Sequence, residues 1–181
     1  MKQTLNLELL RQGIKDCITP NLGGFMCDCA VASLHHQNHK NKILLHIKVN
    51  EEEATLNLVW ATEINKQLLM STNDRDVSAD YGAMAIALLL TQLLTKYRYF
   101  ERSHKGTGID FWLSERADAV DFSARLEISG IHQEKGRNLL STRLSQKIKQ
   151  ALLSADSKLP LYICITEFHK PQSIFMRYDS N

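Results

Sequence analysis

The run at 83–94, AMAIALLLTQLL, is apolar on almost every side of a helix. Ala83, Ala87, Leu90 and Leu94 share one face, while Ile86, Leu89 and Leu93 fill much of the remainder. A helix with that pattern has no solvent face, so other elements have to enclose it on more than one side. The run is too short for a bilayer span, and Thr91 and Gln92 interrupt it. It therefore predicts a soluble protein with no membrane contact, built around a central helix at 76–97. Ser78 is the expected N-cap.

The other elements have to supply the enclosure. At 181 residues, with 44% hydrophobic and 23% charged residues, the chain suits one domain, 1–181, with a substantial core. Eight glycines and three prolines exclude a collagen-like or Pro-rich linker chain, and a net charge of +2 excludes a polybasic, histone-like binder. Residues 1–75 read as a helix followed by an antiparallel β-meander. Leu7, Leu10, Ile14 and Cys17 give the helix at 4–18 its face, and Pro20 with Gly23 and Gly24 ends it. The stretch at 25–34 alternates as a strand, HHQNHKN reads as a hairpin loop, and KILLHIKVN and ATLNLVW form strands around a turn at Glu51 and Glu52. Residues 76–181 read as helix, strand, strand, helix, strand, strand. The amphipathic helix at 138–154 carries Leu140, Leu144, Ile148 and Leu152. The whole is an α+β (α/β) domain.

Cys17, Cys27, Cys29 and Cys164 are too few for a disulfide scaffold, and MKQTLNLELLRQGIK lacks the pattern of a secretory signal. Both features predict a reducing, cytoplasmic location. Cys27 and Cys29 would share a strand face, close to His35, His36 and His39 in the loop. Zinc ligands and buried thiols beside a polar loop are the two readings. Structural zinc favours CxxC knuckles and separated ligand pairs, which this spacing does not supply.

Two acids draw more attention. In GIDFWL a period of two sets Asp110 opposite Ile109 and Phe111; in ARLEISGI it sets Arg125, Glu127 and Ser129 opposite Leu126 and Ile128. If the two strands pair, Asp110 and Glu127 meet at one end of a sheet. Paired carboxylates suit Mg²⁺ or Mn²⁺, which take oxygen ligands and keep waters. The alternative is that each acid pairs with a basic neighbour, Arg125 being the obvious one.

Buried helix, Gly-x-Asp strand, Glu-x-Ser strand, basic helix and apolar strand, over residues 77–168, resemble the core of the PD-(D/E)XK, or restriction-endonuclease-like, superfamily. The resemblance implies a mixed sheet flanked by helices and a nuclease that hydrolyses phosphodiester bonds with Mg²⁺ or Mn²⁺. It implies Asp110 and Glu127 as metal ligands and Asp80, at the start of the central helix, as a further metal acid. The family's Lys position holds Ser129 here, so catalysis is either lost or the lysine has moved. Lys135 is the expected replacement, with Lys147 and Lys105 as other candidates, and Ser129 would help to position the water.

Arg137, Arg143, Lys147 and Lys149 form a basic cluster that would follow a phosphate backbone; otherwise it is a solvated helix face. Tyr97, Tyr99 and Phe100 are candidates for base stacking. The implied nuclease is bacterial in type and acts on nucleic acid. The alternative is an inactive nuclease-like subunit that contacts a protein partner in a multi-protein defence or nucleic-acid-processing assembly. A homodimer is compatible with either.

Overall fold

The computed structural model describes residues 3–119, 121–152 and 157–179. The chain forms a mixed α+β fold in which one eight-stranded sheet is flanked by helices. The strands are β1 (Thr4–Asn6), β2 (Lys42–Val49), β3 (Glu52–Val59), β4 (Tyr99–Arg102), β5 (Phe111–Ser114), β6 (Ala124–Ile131), β7 (Leu161–Glu167) and β8 (Gln172–Tyr178). The helices are α1 (Pro20–His36), α2 (Lys66–Ser71), α3 (Arg75–Leu94) and α4 (Leu140–Ala151), with a 3₁₀ helix at Leu7–Gln12. The order across the sheet is β1-β3-β2-β8-β7-β6-β5-β4. β1/β3, β2/β8 and β6/β7 are parallel and the remaining pairs antiparallel.

The apolar run at 83–94 behaves as its pattern requires. Ala83, Ala85, Ile86, Ala87, Leu88 and Leu90 of α3 are all buried, against α1 on one side and β6 and β7 on another. The helix is 20 residues long, enough by length and composition to cross a membrane, yet 67% of its most apolar window is buried inside the fold. Its N-cap is Asp74, whose Oδ1 accepts the Asp76 and Val77 N–H groups, both at 3.1 Å. Ser78, the expected cap, instead lies buried and donates to the Thr72 carbonyl at 2.9 Å. The helix stops at Leu94, and Tyr99 and Phe100 belong to β4 rather than to a helix end.

The N-terminal third differs most from expectation. The expected helix at 4–18 is a strand, β1, followed by the 3₁₀ helix, although Leu7 and Leu10 are buried as anticipated. The expected strand at 25–34 lies inside α1. Pro20 opens this helix at a position where its missing N–H costs nothing, and the Thr19 hydroxyl accepts the Leu22 N–H. The Gly23–Gly24 pair does not break it. A Cβ on Gly23 would lie 2.0 Å from the Leu10 carbonyl oxygen, so glycine is there to admit the 3₁₀ helix. Gly82 does the same service between α3 and α1, where a Cβ would lie 2.8 Å from Ala30 Cα. The meander thus reduces to the hairpin β2–β3, which turns at Asn50 and Glu51 with Asn50 at φ +53°.

The sheet's two faces carry different layers. One packs Leu45, Leu56, Phe111, Leu126, Ile128 and Phe175 against α1 and α3. The other packs Leu161, Ile163 and Ile165 against α4. The helix expected at 138–154 is α4, and residues 153–154 lie outside the described residues. Arg125 is buried in this second layer. It donates to the Ala151 carbonyl at 3.2 Å and to the Leu159 carbonyl at 3.0 and 2.7 Å, which ties the C-terminal end of α4 to the sheet. α3 and β6 touch backbone to backbone: a Cβ on Gly130 would lie 2.0 Å from the Ala79 carbonyl oxygen. Gly130→Ala is therefore expected to cost about 1–3 kcal/mol by overpacking, read as a lowered urea midpoint at unchanged m-value.

Candidate active site

The register of β5 on β6 pairs Phe111 with Leu126 and Trp112 with Arg125. One residue before β5, the Asp110 N–H still donates to the Leu126 carbonyl at 2.9 Å, and Asp110 Oδ2 accepts the Ile128 N–H at 2.9 Å. The aspartate is thus fixed beside Glu127. Within β6 the expected alternation holds: Leu126 and Ile128 join the α3 core, and Arg125, Glu127 and Ser129 are buried on the α4 side.

Helix α4 delivers its polar face to these residues. Arg143, Lys147 and Gln150 recur at i, i+4 and i+7, offset from the apolar Leu140, Leu144 and Ile148. Lys147 Nζ donates to Glu127 Oε1 at 2.5 Å, and Gln150 Nε2 donates to the same oxygen at 3.0 Å. Arg143 donates to Ser129 Oγ at 3.0 Å and to Asn138 Oδ1 at 2.8 Å. The other carboxylate oxygen, Glu127 Oε2, is buried with no hydrogen-bond partner. Burial, reinforced by the Asp110 charge and opposed by Lys147, pushes the Glu127 carboxyl up to about 8.

Asp80 arrives from α3. Its Oδ1 accepts the Gly130 N–H at 3.0 Å, a contact made possible by the glycine-mediated approach of helix to strand. Asp80, Asp110, Glu127, Ser129, Arg143 and Lys147 all line one cleft of about 580 Å³. The segment from Ser103 to Gly108 forms another wall. Ser103 Oγ and Thr107 Oγ1 lie 2.6 Å apart, which folds the segment over and presents His104 and Lys105 to the cleft. Arg102 Nη2 stands 3.5 Å from Asp110 Oδ1, with its guanidinium over the Phe111 ring.

The sequence-predicted residues divide clearly. Asp80, Asp110, Glu127 and Ser129 converge, and so do Arg143, Lys147 and Lys105. Lys135 does not. It is exposed, bridges Asn138 in the turn after β6, and does not line the cleft; Lys147 is the lysine placed on the acids. Arg137 and Lys149 are also exposed and outside the lining. Tyr97 and Phe100 are buried in the core, and Tyr99 lines a different hollow, so the three form no stacking surface at the cleft. Gln150 and the apolar Val77, Tyr81 and Met84 were not anticipated. The i, i+4, i+7 spacing on α4 was the available signal for Gln150.

Among the described residues, no three of His, Cys, Asp and Glu stand close enough to hold a metal by themselves. Cys27 and Cys29 lie on a helix, about 200° apart, not on one strand face. Both are buried. Cys27 Sγ is 3.9 Å from Thr62 Oγ1, and burial pushes the two thiols up to about 11 and about 12. His39 Nε2 meets the Phe168 carbonyl at 3.0 Å, and His36 faces the His132 ring. No family model matches the chain, and no curated protein or solved structure matches it.

The raised Glu127 carboxyl has a defined pH signature. The folded state holds a proton that the unfolded state, at the ordinary carboxyl value near 4.5, has released. Stability from this group is fully present below about 4.5 and is lost as pH rises through about 8. Glu127→Gln is expected to flatten the decline in unfolding free energy between these values, measured by denaturant titration across the range.

Proposed function

We propose that the chain is a divalent-metal-dependent nuclease that hydrolyses phosphodiester bonds in nucleic acid, with Asp110, Glu127 and Asp80 as its acidic centre. The observation that carries this is Glu127, buried beside Asp110 with its Oε2 accepting no hydrogen bond, in a cleft that Lys105, Arg143 and Lys147 also line. The element order α3, β4, β5, β6, α4, β7 supports the resemblance drawn from the sequence.

An all-oxygen donor set suits Mg²⁺ or Mn²⁺, and such ions need only one or two carboxylates because they keep waters and take substrate oxygens. Glu127 Oε2 and Asp110 would hold the ion, with Asp80 as a further acid in the same cleft. When bound, it would supply Lewis-acid stabilisation of phosphoryl charge and an acidified water. The chain's own residues do the rest. Lys147 fixes Glu127 through Oε1, leaving Oε2 for the ion, and supplies an ammonium beside the acids, the role the resemblance gives to a lysine. Arg143 orients the Ser129 hydroxyl and adds a second cation to the wall facing the phosphate. Lys105 and His104, from the segment after β4, also line the cleft. Cations drawn from two elements favour a polyanion, with affinity that falls as salt rises.

A second reading is favoured by two contacts: Arg102 sits on Asp110 and Lys147 holds Glu127, so both acids already have counter-ions. That arrangement suits an inactive nuclease-like subunit docking to a protein partner in a larger assembly. Calorimetric titration of Mn²⁺ separates the two. The nuclease reading expects binding that is lost in Asp110→Asn and, with Mg²⁺, cleavage of a nucleic-acid substrate. It also expects Lys147→Gln to lower kcat about 10²-fold or more while Mn²⁺ still binds. A folded wild type that takes no Mn²⁺ and cuts nothing would sink it.

A further inference from the structure

One wall of the cleft, formed by α3, is mostly apolar. Val77, Asp80, Tyr81 and Met84 recur at i, i+3, i+4 and i+7 on α3 and all line it, so an apolar, aromatic strip runs beside the acid Asp80. Val77 is 45% exposed although it is a large aliphatic residue at a helix start. Tyr81 is packed against the core at its root, and Phe25 of α1, itself 37% exposed, meets its ring edge-to-face at 5.0 Å between centroids. The ring is therefore braced from outside the cleft and held at its margin. Arg102 contacts Met84 Sδ at 3.2 Å and so connects this strip to the cationic loop.

We infer that Tyr81, braced by Phe25, is a stacking platform for a nucleobase, so that the cleft takes unpaired, single-stranded nucleic acid rather than intact duplex. The inference rests on the nuclease reading and names its substrate. Charge complementarity selects the occupant. Arg143 and Lys147 of α4 and Lys105 of the segment after β4 attract a phosphate backbone, and an aromatic strip in the same cleft suits what that backbone carries. In a duplex, both faces of each base are covered by neighbouring bases, and only groove edges are offered to the protein. A base can lie on Tyr81 only when it is out of the stack, as in a single strand, a loop or a frayed end. The adjacency of Tyr81 to Asp80 then sets a stacked base next to the phosphate that reaches the acids.

The test is binding of a single-stranded oligonucleotide carrying 2-aminopurine, and of the blunt duplex of the same sequence, with Ca²⁺ replacing Mg²⁺. The single strand is expected to bind at least about ten-fold tighter than the duplex, with quenching of the 2-aminopurine. Tyr81→Leu is expected to lose the quenching and about ten-fold in affinity, and Tyr81→Phe to keep both. Mn²⁺ binding by Tyr81→Leu shows that its cleft is intact. If that variant does not fold, photocrosslinking of a 5-iodouracil strand to the wild type, mapped by mass spectrometry, is expected at Tyr81 or Phe25. Duplex binding equal to single-strand binding, unchanged binding in Tyr81→Leu, or crosslinks confined to other elements would each overturn the stacking role. None of these touches the nuclease reading as long as Asp110-dependent Mn²⁺ binding and cleavage persist. No binding of either strand form overturns the stacking role too, and the Mn²⁺ titration then decides the nuclease reading separately.

Discussion

The backbone contact between α3 and β6 governs the geometry of the cleft. Only a residue without a Cβ lets the Ala79 carbonyl sit against Gly130, and that closeness brings Asp80 within reach of the Gly130 N–H. An added methyl group would push the helix outward, and Asp80 would move with it. The apolar circumference of α3 holds the contact together, because a helix buried against α1 and the sheet alike has no face along which to slide. Packing and polar placement are thus one arrangement: the helix that fills the core also carries an acid and an aromatic strip to the cleft.

The electrostatics follow from burial. A carboxylate as enclosed as Glu127 is costly unless something answers its charge, and Lys147 with Gln150 answers at one oxygen only. Asp110 favours the protonated form, by its charge and by a side-chain hydrogen bond. Glu127 therefore holds its proton to about pH 8, where a carboxyl in water would have lost it. A carboxyl perturbed in this way is common where a cation or a proton is to be held. Arg125, two residues away and equally buried, shows the contrast: it donates to the main-chain carbonyls of Ala151, at the end of α4, and of Leu159, before β7.

Much of the second half was legible because its strands alternate cleanly. In β6 the period of two separated Glu127 and Ser129 from Leu126 and Ile128, and pairing with the neighbouring strand brought Asp110 alongside. The first half misled for a related reason. α1 is buried on several sides, so CDCAVASL has no polar face to mark a helical period, and Cys27, Cys29 and Val31 imitate a strand. Gly23 suggested a break, whereas tertiary packing against Leu10 required a glycine inside a helix. Lys147 was one of several lysines within reach by sequence. The helix phase that aligns it with Arg143 and Gln150 selects it over Lys135, which a turn carries into solvent.

The sheet order gives the chain a particular history of assembly. β8 lies between β2 and β7, pairing parallel with one and antiparallel with the other. On a ribosome the hairpin β2–β3 and the strands β4 to β7 emerge first, as two sheet fragments with open facing edges. Nothing joins them along the backbone until β8 has been made. Edges of that kind are templates for wrong pairing, and contacts so distant in sequence form slowly. The strand that seals the sheet is thus also the one whose absence leaves two sheet edges open in the growing chain.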